Sequence, residues 1–345
     1  MSDPVDHAWV VGLPKAEVHL HLEGCIDVAL VHAASLRHGV LPFGGRQRDD
    51  GHDRAPRITS LPELLTYLDW SCALIDQPDE LASIAYGAAR RASLSGVRHI
   101  DVIVNPTHWP SWEGRLEAMV DALDQGFRAA ETDGLATAAL CLSLKRTQTR
   151  SAALAFVDWL LAARHPRVAG LSIDGDESNG SHNERFAEAF RRAGHGGLRR
   201  CAHAGESSGP DGVREAVDLL GAERIDHGVR AVEDPALVVE LARRAVPLDI
   251  CPTSNVVLGI VSDLSHHPVE DLRRRGVKVS LNTDDPLLYD IEVVGEYERC
   301  ARAFGWGRAE LAAVARTSIE SCFADPDRRR QLLRQHDSYV ISSRW

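Results

Sequence analysis

No stretch of this 345-residue chain approaches ~20 continuous apolar residues, so no bilayer-spanning helix is expected. Met1 to Trp9 is polar and lacks the apolar core of a signal peptide. No Cys-x-x-Cys pair occurs, and the seven cysteines are odd in number and scattered from Cys25 to Cys322. That excludes a disulfide framework and reads as buried thiols in a reducing compartment, with the cytoplasm as the expected address. There is no basic run: Lys plus Arg is 39 against 50 Asp plus Glu, a net charge of −11. An acidic chain of this kind is a poor partner for nucleic acid or an anionic membrane. A small-molecule substrate is expected instead.

Several catalytic signatures are also missing. The chain has no His-Glu-x-x-His, no Pro-Cys-x-x-Cys and no Gly-x-x-x-x-Gly-Lys. These absences set aside the zincin, cytidine-deaminase and P-loop routes.

What is present is a repeating pattern. With 44% hydrophobic residues a large core is easily built. Eight short strand-like runs are expected near 17–21, 98–104, 135–143, 168–173, 199–203, 224–227, 247–251 and 278–282. Some, such as Ile100-Asp101-Val102-Ile103-Val104, are nearly continuous apolar runs, as parallel strands covered by helices require. Helical segments lie between them. In one, over 61–74, Ser60 and Glu63 form a candidate capping box and Leu61, Leu64, Leu65 and Leu68 an apolar stripe. Eight strand–helix units predict a (β/α)8 barrel of the metal-dependent hydrolase type. No composition break divides the chain, so one domain over 1–345 is expected. The polar stretch Pro42–Ser60 is either a surface excursion or part of a lid. Of the sixteen histidines, His7, His32, His38, His52, His165, His182, His195, His266 and His267 stand in polar or loop contexts and receive no role.

Four motifs close predicted strands, where a β/α barrel carries its active site. His19 and His21 are spaced i, i+2, so both imidazoles share one face of a strand. His203 closes the fifth strand and Asp284 the eighth. Three imidazoles and a carboxylate make a suitable zinc set with room for a water. Such water has its pKa lowered toward ~7 and becomes a nucleophile. Glu206, three residues past His203, could take the water's proton and pass it to a substrate nitrogen. A glutamate at a helix N-terminus would also explain it. His227, after Asp226, would reach over the barrel mouth to orient the nucleophile, or serve as a rim hydrogen-bonder. Asp284 and Asp285 also read as turn residues before Pro286.

The strings Leu13-Pro14-Lys15-Ala16-Glu17-Val18-His19-Leu20-His21-Leu22-Glu23-Gly24, Gly175-Asp176-Glu177, His203-Ala204-Gly205-Glu206, Arg224-Ile225-Asp226-His227-Gly228, Cys251-Pro252-Thr253-Ser254-Asn255 and Asn282-Thr283-Asp284-Asp285-Pro286 run in that order along the chain. Together they resemble the adenosine deaminase family of the amidohydrolase superfamily. The resemblance implies one Zn2+ held by His19, His21, His203 and Asp284. It implies a small-molecule purine substrate, protonated at N1 by Glu206 while hydroxide assisted by His227 attacks C6. Asp285 would bond N7 and the Gly175 N–H would bond N3, with His21 and Glu23 also at the substrate. Adenosine-specific members carry Asp at the Glu23 position, contacting the ribose 5′-hydroxyl. Glu23 looks more like the adenine deaminases or members acting on modified nucleosides. Gly175-Asp176-Glu177 and Asn282-Thr283-Asp284 look like the adenosine branch, whereas adenine-type members tend to show Ser-Glu and Asn-Ser-Asp. The first expectation is therefore a 6-aminopurine nucleoside, with free adenine or a non-purine amidohydrolase substrate as the alternative. Asp174 is an extra acid where a small residue is usual. The sequence leaves oligomeric state open.

Overall fold

The computed structural model describes residues 5–41, 43, 56–178 and 182–343. Eight parallel strands form one sheet in sequence order. They are β1 (Lys15–His21), β2 (Val97–Val104), β3 (Thr137–Lys145), β4 (Val168–Asp174), β5 (Arg199–Ala204), β6 (Arg224–His227), β7 (Leu248–Ile250) and β8 (Val279–Leu281). Helices occupy the connections, as parallel neighbours demand. This is the (β/α)8 barrel expected from the alternating pattern.

The sheet comes round on itself where β8 meets β1. His21 N–H donates to the Asp284 carbonyl at 2.9 Å, and Asp284 N–H to the His19 carbonyl at 3.2 Å. Between them, Val18 N–H donates to the Asn282 side-chain oxygen at 2.8 Å. A side chain thus replaces a ladder rung, and β8 is correspondingly shorter than the run 278–282. At β7, Pro247 has no N–H to give and Cys251 already serves as N-cap of the helix Pro252–Val257.

Charge fills the lower barrel, near the N-terminal strand ends. Arg224 of β6 reaches Asp101 of β2 at 2.5 Å and Asp249 of β7 at 2.9 Å. It donates to the Val18 carbonyl at 2.9 Å, and its guanidinium lies 3.8 Å from the Phe323 ring centre. All seven cysteines are buried free thiols. No helix among the described residues is long and apolar enough to cross a membrane.

The helix Leu61–Ala73 departs from expectation in two ways. Ser60 makes no side-chain cap; instead Glu63 accepts from the Thr59 N–H at 3.0 Å. Its leucine stripe is not sunk in the main core. Leu64 and Leu68 pack in a satellite cluster with Ile58, Tyr67 and Leu258, and the stripe walls a pocket. Most of the stretch read as surface loop or lid, Pro42–Ser60, lies outside the described residues.

Candidate active site

The pocket opens at the C-terminal ends of the strands. His19 and His21 leave β1 on the same face, as their two-residue spacing requires. His203 comes from β5 and Asp284 follows β8. The ligating atoms of His19, His21, His203 and Asp284 all lie within 4.8 Å of one another. His203 Nε2 is 3.1 Å from His19 Nε2 and 3.0 Å from His21 Nε2. Asp284 Oδ1 stands 3.3 Å from both His19 and His21.

Second contacts turn these nitrogens inward. His19 Nδ1 is 3.0 Å from the Asp249 carbonyl, which can only accept, so Nε2 presents a lone pair to the centre. His203 Nδ1 lies 3.3 Å from the Asp226 carboxylate, which leaves Nε2 as the nitrogen turned to the cluster. Lone pairs converging at 3.0–3.1 Å repel unless a cation sits between them. The donor set is that of a divalent transition metal. The electrostatics agree. Burial lowers the His19 pKa, but Asp284 outweighs it and lifts the imidazole to about 10. Burial pushes His21 down to about 4. Burial would raise Asp284, yet His19 beside it holds that carboxyl well below the usual range. The cluster is built for one shared positive charge.

A hydrogen-bond chain fixes His227. Val269 N–H donates to His267 Nδ1 at 3.1 Å, so His267 donates from Nε2 to Asn255 Oδ1 at 3.2 Å. The Asn255 amide then donates to His227 Nδ1 at 3.2 Å. His227 must carry its proton on Nε2, which faces Glu206 at 3.5 Å and Asp284 at 3.9 Å. Burial, then His19, keep the His227 pKa well below 6.5, so the ring is neutral. His267, read from sequence as a loop histidine without a role, is buried and anchors this chain. Asp284 and His227 both have left-handed backbones, φ 66 and 64, a strain that non-glycine residues adopt where the surroundings enforce it.

Glu23, Asp174, Gly175, Glu206 and Asp285 line the same pocket. Gly24 lets Asp285 approach: a Cβ there would stand 2.4 Å from the Asp285 Cα. Burial, then the charges of Asp284 and Glu177, raise Glu206 well above the carboxylate range. Burial, then Asp284 and Glu23, do the same to Asp285. Both shifts favour the protonated form of the acid. Glu23 Oε1 accepts from Asn105 N–H and Trp109 Nε1–H, each at 2.8 Å. Asn105 Nδ2 donates to Asp174 at 2.5 Å. Sequence reading missed Asn105 and Trp109, which sit in the loop after β2 within no motif. One oxygen each of Glu23, Asp174, Glu206 and Asp285 has no hydrogen-bond partner. Buried polar atoms are seldom left so; here all four belong to residues that line the pocket. The cavity is tight, about 40 Å³, against ~300–1,000 Å³ for sites that hold drug-sized ligands.

A family model described as adenosine deaminase matches residues 14–339. The chain belongs to the adenosine deaminase family. Its activity is therefore hydrolytic deamination. An adenine deaminase of Sphingopyxis alaskensis is 32% identical over 334 residues, 96% of either chain. Among solved structures of the family, adenine deaminase from Arthrobacter aurescens superposes with a TM-score of 0.87 at 30% identity, covering 95% of this chain and 99% of the other. An amidohydrolase from Burkholderia ambifaria with bound zinc gives 0.81 at 28% identity, covering 99% and 96%. An N6-mAMP deaminase from Arabidopsis gives 0.84 at 26%, covering 96% and 99%. The named relatives thus differ in substrate, adenine for some and N6-mAMP for another.

Proposed function

We propose that this deaminase acts on adenine, exchanging the C6 amino group for oxygen to give hypoxanthine and ammonia. The observation that carries this reading is the ring of four unpartnered carboxyl oxygens, on Glu23, Asp174, Glu206 and Asp285, around the three-imidazole cluster. A purine base complements it, with ring nitrogens that accept from the protonated acids and N–H groups that donate to the remaining oxygens.

His19, His21, His203 and Asp284 would hold the metal, zinc by ligand type and by the zinc seen in the Burkholderia neighbour. When bound, it supplies a water acidic enough to act as nucleophile near neutral pH. The chain's own groups do the rest. Protonated Glu206 donates to N1, which draws electrons from C6 and opens it to attack. His227, neutral and protonated on Nε2, holds the attacking oxygen by hydrogen bond. Protonated Asp285 donates to N7, and Gly175 N–H donates to N3. Glu206, ionised by that transfer, would take a proton from the attacking water and hand it to the departing amino group, so that ammonia leaves, and the water's second proton would restore the acid. His21 and the leucines of Leu61–Ala73 wall the base, and the leucines exclude water.

The N9 side decides the substrate. Glu23 is not free to meet a ribose: Trp109 and Asn105 hold one of its oxygens. The other, with Asp174 tied to the same Asn105, leaves acceptors for the N9–H of a bare base. No Lys or Arg stands among the described residues lining the pocket, so a 5′-phosphate finds no partner. Parallel kcat/KM measurements on adenine, adenosine and 2′-deoxyadenosine test this. Adenine should lead by more than about 10²-fold, as expected when buried polar groups lose their partners. Faster turnover of either nucleoside would return the reading to the nucleoside.

A further inference from the structure

Glu177 follows β4 in the string Gly175-Asp176-Glu177, and the chemistry above leaves it without a task. It is 2% exposed, yet its carboxylate is crowded with donors. Gly205 N–H donates to Oε2 at 3.2 Å. Glu206 N–H donates to Oε1 at 3.2 Å, and Ser207 N–H to Oε1 at 3.3 Å. The Ser208 hydroxyl donates to Oε2. A return bond runs from Glu177 N–H to Ser207 Oγ at 3.0 Å. Arg146 stands behind, 3.9 Å from Oε2, and donates to the His203 carbonyl. The turn leaving β5 therefore wraps one carboxylate with three successive backbone N–H groups. Gly205, at φ +72, makes that wrap possible.

The Glu206 side chain has no such support. Its Oε1 lacks a hydrogen-bond partner, and His227 Nε2 is 3.5 Å away. With little to grip at its tip, its aim is set by the backbone it grows from. We infer that Glu177 is a positioning residue that locks the 205–208 turn and so aims the Glu206 carboxyl at the reacting ring. This rests on the reading of Glu206 as the proton donor. A displacement of about 1 Å at such a donor costs on the order of 10²-fold in rate.

The test uses the full-length, zinc-loaded protein with Glu177→Gln, which keeps the volume but turns amide hydrogens toward the Gly205 N–H and the Ser208 hydroxyl. The expected result is a kcat lower by about 10²-fold with KM within about threefold. Metal content should stay unchanged, and deuterium exchange at amides 205–207 should quicken. Ser208→Ala, which removes a single donor, should give a smaller loss of the same kind, and it serves if the first variant does not fold. A kcat within about twofold of wild type in both variants overturns the inference. So does a loss that falls equally on KM, metal content and melting temperature with exchange at 205–207 unchanged. If the wild type releases no ammonia from any 6-aminopurine, the proton-donor reading fails. Exchange then decides alone: quickened amides uphold the lock, and unchanged ones refute it.

Discussion

The two ends of this barrel both bury charge, and they treat it in opposite ways. At the lower end, Arg224 meets Asp101 and Asp249, a backbone carbonyl and an aromatic face. The group pairs its charges with one another, although Arg224 Nε and Asp249 Oδ2 approach without forming a hydrogen bond. At the mouth, Glu23, Asp174, Glu206 and Asp285 are equally buried, but each keeps an oxygen without a partner. No Lys or Arg joins them among the described lining residues. Burying an uncompensated acid is unfavourable. A chain that does so four times around one cavity has given up stability for a ligand. Buried charge met by opposite charge holds the fold, whereas buried acids gathered around one cavity without a cation mark the place where chemistry happens.

That contrast can be broken by substitution. Glu206→Gln should lower kcat by up to ~10⁴-fold while metal stays bound, and its melting temperature should hold or rise because a strained acid is gone. A melting temperature that falls along with the activity would place Glu206 among the structural charges. Arg224→Met should do the reverse. It strands two buried carboxylates, a cost of about 3–5 kcal/mol of stability in denaturant unfolding. Equal stability would mean the lower cluster is dispensable. Asp285→Asn at the mouth should cost about 10²-fold in kcat/KM with little change in stability. Equal losses in both would blur the distinction between the two ends.

The smallest effect concerns pH. Glu296, on the helix Val293–Phe304, is buried away from any ion pair and accepts from the Thr253 N–H at 3.3 Å. Burial pushes its pKa up to about 7 from 4.5. Between those values the folded state keeps a proton that the unfolded state releases, so this group's contribution is present at low pH and lost as pH rises through 7. Glu296→Gln should flatten the fall in melting temperature between pH 5 and 8. An unchanged slope would assign it to other carboxyls.

Much of this was legible in the chain. All eight strands appear within three residues of where apolar runs and turn residues put them, because parallel strands buried on both faces leave a strong pattern. His19 and His21 were readable as a pair because strand geometry leaves them no choice of face. Helices at Val28–His38, Arg308–Ser321 and Pro326–Ser342 were not anticipated, although Asp27, Gly307 and Asp325 stand at their N-caps. Their polar faces hide the periodicity. Asn105, Trp109, Asp249 and His267 were invisible for another reason. Each acts through a partner more than ten residues away, or on a backbone carbonyl, and no local spacing reports such a contact. The sequence reading put the nucleoside first because two short strings outweighed Glu23, whose engagement by Trp109 only the fold reveals; the adenine deaminases among the relatives favour its alternative, the free base.

The central claim is that the open charges at the mouth form a metal-dependent adenine site. The direct measurement is hypoxanthine formation from adenine as zinc is titrated into chelator-stripped protein. Turnover should be absent at the start and rise to a plateau at one equivalent of zinc per chain. Full turnover in the stripped protein, or no hypoxanthine at any metal loading, would contradict the account.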